Sequence, residues 1–84
     1  MYKKSIHLDI EDFGDSLVVF DELNEKFYSF DEIEKFIWNM LESNSFDEII
    51  SAVIKEYDAD YEQVKHDIIL FVDELIEYKL IEKI

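Results

Sequence analysis

The hydrophobic period of the sequence changes after Phe30, and this change constrains the fold more than any other feature. Before Phe30, apolar residues alternate with polar ones, as Ile6, Leu8 and Ile10 do with the residues between them. Alternation of this kind is typical of a strand with one buried face. After Phe30, apolar residues recur about every 3.6 residues, which is the period of an amphipathic helix. The sequence therefore predicts an α+β fold in which a sheet precedes a group of helices.

Three short strands are predicted before the change of period. They cover residues 6–10, 17–20 and 26–30. Gly14 lies between the first two strands, where a turn needs a positive φ. Asn24 lies in the acidic connector before the third strand, and asparagine tolerates the left-handed conformation of a tight turn. Because the connections are short, the strands are expected to form a three-stranded antiparallel meander.

Three helices are predicted after the change of period. They lie near residues 31–42, 46–57 and 61–78. Each begins with a residue that can cap a helix N-terminus and that has Glu or Gln three positions later, as in a capping box. These pairs are Asp31 and Glu34, Ser45 and Glu48, and Asp60 and Gln63. In the first helix, the apolar stripe is expected to include Ile33 and Phe36, with Trp38 on its flank.

The third predicted helix has a wide apolar face. Its main stripe falls within an arc of about 100° and consists of Val64, Ile68, Phe71, Val72 and Leu75. Ile69 and Ile76 lie beside this arc. A face of this width fits a helix that is buried on two sides, a dimer contact, or one wall of a peptide groove. The periodicity alone leaves these three interpretations open.

The charge of the chain limits the partners that it can bind. The chain has 84 residues, enough for one domain, with 22 acidic residues against eight lysines and no arginine, and a net charge of −14. Such a chain repels nucleic acid and anionic membranes. The charge favours a basic or neutral partner, or serves solubility alone. The absence of cysteine and of an apparent signal peptide leads us to expect a cytoplasmic protein.

The sequence offers little catalytic chemistry. There is no cysteine, and no serine or histidine lies in a recognisable nucleophile setting. His7 and His66 are far apart and are expected to be ordinary surface residues. No catalytic residue, cofactor or metal ion is therefore predicted, and the chain is expected not to be an enzyme.

One acidic pattern resembles a calcium-binding loop but does not fit one. Asp58, Asp60 and Glu62 have the alternate spacing of the first three ligands of an EF-hand. The sixth position, where the loop needs glycine, is Gln63, and the twelfth, where it needs glutamate, is Ile69. Acidic residues at a helix N-terminus, where the helix dipole favours them, explain the pattern better.

The third predicted strand raises the question of what covers its outer edge. Phe27 and Ser29 point to one side of this strand, and Lys26, Tyr28 and Phe30 point to the other. One side must pack on the helices, so at least one aromatic residue is expected in the core. The sequence does not indicate which side would meet a ligand.

The order of these segments resembles the PqqD family, whose members recognise precursors in ribosomal peptide modification. The resemblance covers about residues 16–84. The matching segments are Val18–Asp21, Tyr28, Phe30–Asp31, Ile37–Trp38, Phe46–Glu56, Tyr57–Asp58 and Asp60–Ile81. Asp31 stands where the family more often has asparagine, and Lys79 stands where glycine often ends the third helix.

The resemblance implies a winged-helix-like domain that binds a leader peptide and performs no chemistry itself. The leader segment would add as a strand beside the third strand and lie against the third helix, which would explain the exposed edge. The implied peptide-binding residues are Lys26, Phe27, Tyr28, Ser29, Phe30, Lys65, Ile69, Val72, Asp73 and Ile76. The expected partners are the precursor leader peptide and either a leader peptidase of a lasso-peptide pathway or a radical-SAM enzyme. The alternative is a winged-helix adaptor that dimerises, or an acidic mimic of DNA.

Overall fold

The computed structural model describes all residues from Met1 to Ile84 and contains five strands and three helices. In chain order they are β1 (Tyr2–Lys4), β2 (Leu8–Asp12), β3 (Leu17–Asp21), β4 (Lys26–Phe30), α1 (Glu32–Met40), α2 (Phe46–Tyr57), α3 (Tyr61–Glu77) and β5 (Ile81–Lys83). The predicted α+β order of three strands and then three helices is confirmed. No helix is long and apolar enough to cross a membrane.

Strands β2, β3 and β4 form an antiparallel sheet in that order, so β4 is an edge strand. In the register, Val19 lies opposite Ile10 on β2 and opposite Tyr28 on β4. Residues directly opposite each other project from the same face of a sheet. The inner face therefore carries Val19 and Tyr28 towards the helices, and the outer face carries Phe20 and Phe27.

The predicted buried face of the first strand is confirmed only at Leu8, which is partly buried against the core. Ile6 lies in the turn before β2 and is 83% exposed, and Ile10 is 44% exposed. The reason is the position of β2, which pairs only with β3 at the side of the sheet away from β4. Alternation in a sequence reports which residues share a face, but it does not report whether a helix covers that face.

Two strands were absent from the sequence-based prediction. β1 pairs with β5 in a separate antiparallel sheet, with Lys4 opposite Ile81. Leu80 and Ile81, which the sequence suggested were a short apolar tail, are both buried in the core. Each of these strands has three residues, which is too short for alternation to be recognised.

The helix starts follow the predicted capping signals with one exception. The side chains of Asp31 and Ser45 accept hydrogen bonds from the backbone N–H groups of Glu34 and Glu48. The side chains of those two glutamates accept hydrogen bonds from the backbone N–H groups of the capping residues. Asp60 accepts from the backbone of Gln63, but the Gln63 amide donates to Asp67 instead of reaching back. The start of α3 is therefore a simple cap without the reciprocal bond.

One hydrophobic core joins the sheet to the helices. It contains 16 buried residues: Leu17, Val19, Phe30, Ile37, Trp38, Leu41, Ile49, Ile50, Val53, Val64, Ile68, Phe71, Val72, Leu75, Leu80 and Ile81. Trp38 is among the most deeply buried, so its predicted place on the flank of α1 is wrong. Its ring lies 5.4 Å from that of Phe30 between centroids. Ile33, which was expected in the stripe, is 42% exposed.

Helix α3 ends in a Schellman motif that contains no glycine. Lys79 adopts a left-handed backbone with a φ of 61°. The N–H of Leu80 donates to the carbonyl of Leu75 at 2.9 Å, and the N–H of Lys79 donates to the carbonyl of Ile76 at 3.0 Å. These two bonds satisfy the last carbonyls of the helix. The motif turns the chain sharply, so that Leu80 enters the core and β5 follows beside β1.

Candidate functional site

The connector between β3 and β4 is fixed by Asp21, which is buried although its side chain is charged. Its carboxylate accepts hydrogen bonds from the Asn24 amide at 2.8 Å and from the backbone N–H groups of Leu23 and Asn24. These bonds, led by that of the Asn24 side chain, lower the pKa of Asp21 below its ordinary value of 3.8. The left-handed residue of the turn is Glu25, whereas Asn24, which could tolerate that conformation, donates from its side chain to Asp21.

Strand β4 presents different side chains to its two sides. Phe30 is buried and its ring meets that of Phe71 edge-on, with the centroids 5.2 Å apart. Tyr28 is half-buried, whereas Phe27 is 72% exposed and stacks on Phe20 across the outer face. The expectations that one aromatic residue is core and that Phe27 and Tyr28 differ in exposure are both confirmed. The inner side of β4 is thus the side that faces α3.

The outer edge of β4 has no strand partner and borders a cleft. The only strand that pairs with β4 is β3. The cleft has a volume of about 230 Å³ and is lined by Asn24, Lys26, Tyr28, Glu77, Tyr78 and Lys79. It lies between the first half of β4 and the last turn of α3. An unpaired row of backbone N–H and C=O groups beside such a cleft is suited to pairing with an extended peptide.

The structure separates the predicted binding residues into buried and exposed groups. The side chains of Phe30 and Val72 are buried in the core and are not open to a ligand. Lys65 and Asp73 are exposed on α3, as are Lys26 and Ser29 on β4. Ile69 and Ile76 are each 39% exposed, and Phe71 is buried. The prediction that these two isoleucines lie outside the core arc of α3 is confirmed.

The flank of α3 that faces β4 is not the flank predicted from the sequence. Phe71 and Tyr78 contact β4 residues, and Glu77 lines the cleft beside β4. Residues three and four positions apart share one side of a helix, so Glu74 and Leu70 lie on the same flank as Glu77. Ile76, by contrast, lines a different cleft, bounded by β1 and β5. The two isoleucines therefore lie on the flank opposite that of Leu70, away from β4.

Four residues on the flank of α3 beside β4 were not among the predicted binding residues: Leu70, Glu74, Glu77 and Tyr78. Leu70 is 50% exposed, although leucine is usually buried. A signal for this flank was present in the sequence. Phe71 and Tyr78 are seven residues apart, which places two aromatic rings two turns apart on one side of the helix. The contacts of Phe71 with Phe30 and of Tyr78 with Tyr28 decide that this side is the one beside β4.

The many acidic side chains of the surface form no metal-binding cluster. No three His, Asp or Glu side chains are grouped so that they could hold a metal ion. Asp58 ends α2 in a left-handed conformation, and Asp60 caps α3. The acidic pattern around them is therefore explained by helix ends. His7 and His66 are both exposed.

The fold and the cleft define the class of protein: a small winged-helix-like α+β domain whose open edge strand faces its last helix. The sequence profile of the family described as coenzyme PQQ synthesis protein D (PqqD) matches residues 16–81. The chain therefore belongs to the PqqD family, and its fold is that of a PqqD-like recognition element. The resemblance seen in the sequence is confirmed.

Two solved structures have a similar fold over almost the whole chain. One is TbiB1 in complex with the TbiA(beta) leader peptide, with 25% identity, a TM-score of 0.89 and coverage of 98% of this chain and 96% of that chain. The other is lasso peptide synthetase B1 complexed with the leader peptide, with 14% identity, a TM-score of 0.86 and coverage of 98% of both chains. Because the second structure is only 14% identical in sequence, its similarity to this chain shows the fold alone. No curated protein sequence matches the chain.

Proposed function

We propose that this protein binds the leader segment of a ribosomally synthesised precursor peptide by strand addition to β4. The observation that carries the proposal is the unpaired outer edge of β4 beside the cleft that it shares with α3. Membership of the PqqD family and the similarity to TbiB1, which was solved with a leader peptide, support it. Backbone hydrogen bonds to β4 would give affinity, and side chains that alternate towards α3 would give selectivity.

The chemistry of the cleft indicates what the paired segment should look like. Tyr28 and Tyr78 provide an apolar floor, and Leu70 extends it along α3. Glu74 and Glu77 add negative charge on the same flank. A segment with apolar side chains on alternate positions, and with neutral or basic residues between them, fits this surface. The overall charge of −14 favours the same kind of segment.

The proposed site combines β4 with α3. On β4 it includes Lys26, Phe27, Tyr28, Ser29 and the backbone of Phe30. On α3, the cleft favours the flank of Leu70, Glu74, Glu77 and Tyr78. The opposite flank, with Lys65, Ile69, Asp73 and Ile76, remains an alternative because its two isoleucines are also exposed. Substitutions on the two flanks distinguish these sites.

The bound leader would be presented to a separate maturation enzyme in the cytoplasm. The absence of a recognisable catalytic arrangement in the sequence makes this division of labour reasonable, since the chemistry would belong to the partner. The candidates are a leader peptidase of a lasso-peptide pathway and a radical-SAM enzyme. A short precursor gene beside either enzyme in the genome would identify the partner and supply the leader sequence to test.

The test is a titration of the ¹⁵N-labelled protein with the leader peptide of the neighbouring precursor gene. Strand addition should shift the amide signals of Lys26 to Phe30 and protect some of them from hydrogen exchange. A scrambled peptide of the same composition is the control. If the leader binds without affecting β4, or does not bind at all, the proposal is wrong. Self-association through β4 would appear as shifts that depend on protein concentration without peptide.

A further inference from the structure

A second and larger cleft lies beside the last turn of α3, between β1, the turn that follows it, and β5. It has a volume of about 550 Å³. Its lining includes four of the eight lysines of the chain, namely Lys3, Lys4, Lys79 and Lys83, and one acidic residue, Glu82. In a chain with 22 acidic residues, this local excess of positive charge runs against the composition.

Most of these lysines have no ionic partner. Lys4 pairs with Glu42 at 3.7 Å and lies 4.7 Å from the centroid of the Trp38 ring. Partial burial lowers the pKa of the Lys4 ammonium group, an effect that Glu42 opposes. The other three lining lysines have no carboxylate within 4.0 Å. Lys3 lies directly opposite Glu82 in the register of β1 with β5, so Lys79 and Lys83 carry the charges that are most available to an anionic ligand.

The second cleft also has an apolar component. Ile6 and Ile76 are exposed at its border, and Ile81 is buried beneath it. His7 lies in the turn before β2, not on the strand as the alternation suggested, and it joins the lining. Cations interleaved with isoleucines suit a peptide that carries carboxylates next to apolar side chains, better than they suit a bare inorganic anion.

Lys79 connects this cleft to the cleft beside β4. It is a lining residue of both. Its backbone has a φ of 61°, a conformation that glycine adopts without strain and lysine does not. Strain of this kind at a non-glycine residue is a reason to look for a function of the side chain. The two clefts are adjacent on the surface, with Lys79 at their shared border.

We propose that the peptide bound to β4 continues past Lys79 into the second cleft, and that its continuation carries carboxylates beside apolar side chains. This inference rests on the proposed function and specifies its ligand. The part paired with β4 would be neutral or basic because it lies near Glu77, and the continuation would be acidic because it lies near Lys79 and Lys83. The protein would thus recognise a peptide with opposite charge at its two ends.

The first experiment examines the second cleft alone. The ¹⁵N-labelled full chain is titrated with acetyl-Val-Glu-Leu-Glu-Leu-Glu-amide and with the same peptide carrying lysine in place of glutamate. The acidic peptide should shift the amides of Lys3, Lys79 and Lys83, and the lysine peptide should not. Lys79→Gln should weaken binding about threefold to fivefold. The matched control Lys55→Gln removes a charge at the far end of α2 and should have no effect.

The second experiment examines continuity with β4. The leader peptide of the neighbouring precursor gene is compared with a version in which the carboxylates outside its β4-paired segment are replaced by amides. This replacement should weaken binding to the parent protein by at least a similar factor and should weaken binding to Lys79→Gln by less. That non-additivity would assign the carboxylates to the cleft of Lys79.

The outcomes separate this inference from the proposed function. If the leader shifts the amides of β4 but neutralising its carboxylates changes nothing, the inference is wrong and the proposed function stands. A leader without such carboxylates has the same consequence. If the acidic and lysine peptides bind alike, the second cleft does not select anions, and the inference also fails. If the leader leaves β4 unaffected, the proposed function fails, whatever the acidic peptide does.

Discussion

The ring of Tyr28 lies 4.9 Å from the ring of Tyr78, measured between centroids. This contact joins the middle of β4 to the residue that ends α3. It fixes the distance between the strand edge and the helix, and it forms the floor of the cleft between them. A peptide strand beside β4 would therefore meet a preformed surface, and less ordering would oppose its binding.

Replacing Tyr78 by alanine should loosen this junction. Loss of the aromatic pair should lower the free energy of unfolding by about 0.5–1.5 kcal/mol beyond the effect of the lost apolar area. Leader binding should weaken by more than this loss of stability explains. Tyr61→Ala is the matched control, since Tyr61 has similar exposure on α3 and no aromatic partner. Thermal melts and leader titrations of both variants make the measurement. Equal effects of the two substitutions would contradict the role of Tyr78 in the cleft.

Substitutions at adjacent positions of α3 should identify the flank that binds the leader. Leu70→Asp places a carboxylate beside the cleft, where desolvation costs about 1–3 kcal/mol, or about fivefold to 150-fold in affinity. Ile69→Asp makes the same change on the opposite flank and should have a much smaller effect. Both side chains are exposed, so both variants should fold. A larger effect of Ile69→Asp would restore the flank predicted from the sequence.

The neighbouring substitution Phe71→Asp should behave differently from both. Phe71 is buried and packs against Phe30. An aspartate at this position would leave a cavity and an uncompensated buried carboxylate, and the small domain should unfold. Circular dichroism at room temperature would test this expectation. A folded Phe71→Asp variant would show that the core tolerates more rearrangement than its packing indicates.

Replacing Lys79 by glycine should stabilise the fold. Glycine removes the strain of a left-handed backbone, and part of the gain is offset by the greater freedom of the unfolded chain, so the net effect should be up to about 1 kcal/mol. Lys79→Gln keeps the strain and should leave stability nearly unchanged. Urea denaturation of the two variants compares them directly. A loss of stability in Lys79→Gly would mean that the lysine side chain stabilises the folded state.

Asp21 should contribute to the acid sensitivity of the domain. The hydrogen bond from the Asn24 side chain is the main reason that the pKa of Asp21 is lowered in the folded state. The ionised Asp21 therefore stabilises the fold above its ordinary pKa of 3.8. This stabilisation is lost as the pH falls through the lower pKa of the folded state. Asp21→Asn should be less stable than the parent at neutral pH, and the difference should shrink in acid. Asp73→Asn is the control, because Asp73 is exposed on α3. A difference that stays constant from about pH 7 to about pH 2 would contradict this mechanism.

Salt should slow the capture of a leader whose β4-paired segment is basic. The protein has a net charge of −14, and exposed charges are screened beyond about 8 Å at physiological ionic strength. Stopped-flow association rates at low and high salt would measure the effect. A rate that rises with salt would mean that long-range attraction does not guide the encounter.

The helices could be predicted closely from the sequence because their signals are local. Asp31 and Ser45 form reciprocal bonds within four residues of chain, and such bonds depend little on distant structure. The strands were recognised by alternation, but their burial was not. Ile10 has the same pattern as a core residue and is exposed, because burial depends on whether a helix reaches that part of the sheet.

The site was predicted in part for a related reason. The edge of β4 followed from the resemblance to the PqqD family, and the sheet order places β4 at an edge. The flank of α3 could not be chosen from periodicity, since Leu70 and Ile69 both lie outside the core arc. The rotation of α3 about its axis is set by contacts distant in sequence, such as that of Phe71 with Phe30.

The pairing of β1 with β5 brings the two extremities of the domain together. The N–H of Ile84 donates to the carbonyl of Met1 at 3.3 Å. A linker of a few residues would therefore join Met1 to Ile84. The chain could then be opened at a different place, for example at the exposed turn of Gly14. Because β4 belongs to the other sheet, such a circular permutant would keep its strand edge intact. The domain could likewise be inserted into a surface loop of an unrelated carrier protein, with the chain entering and leaving at a single point.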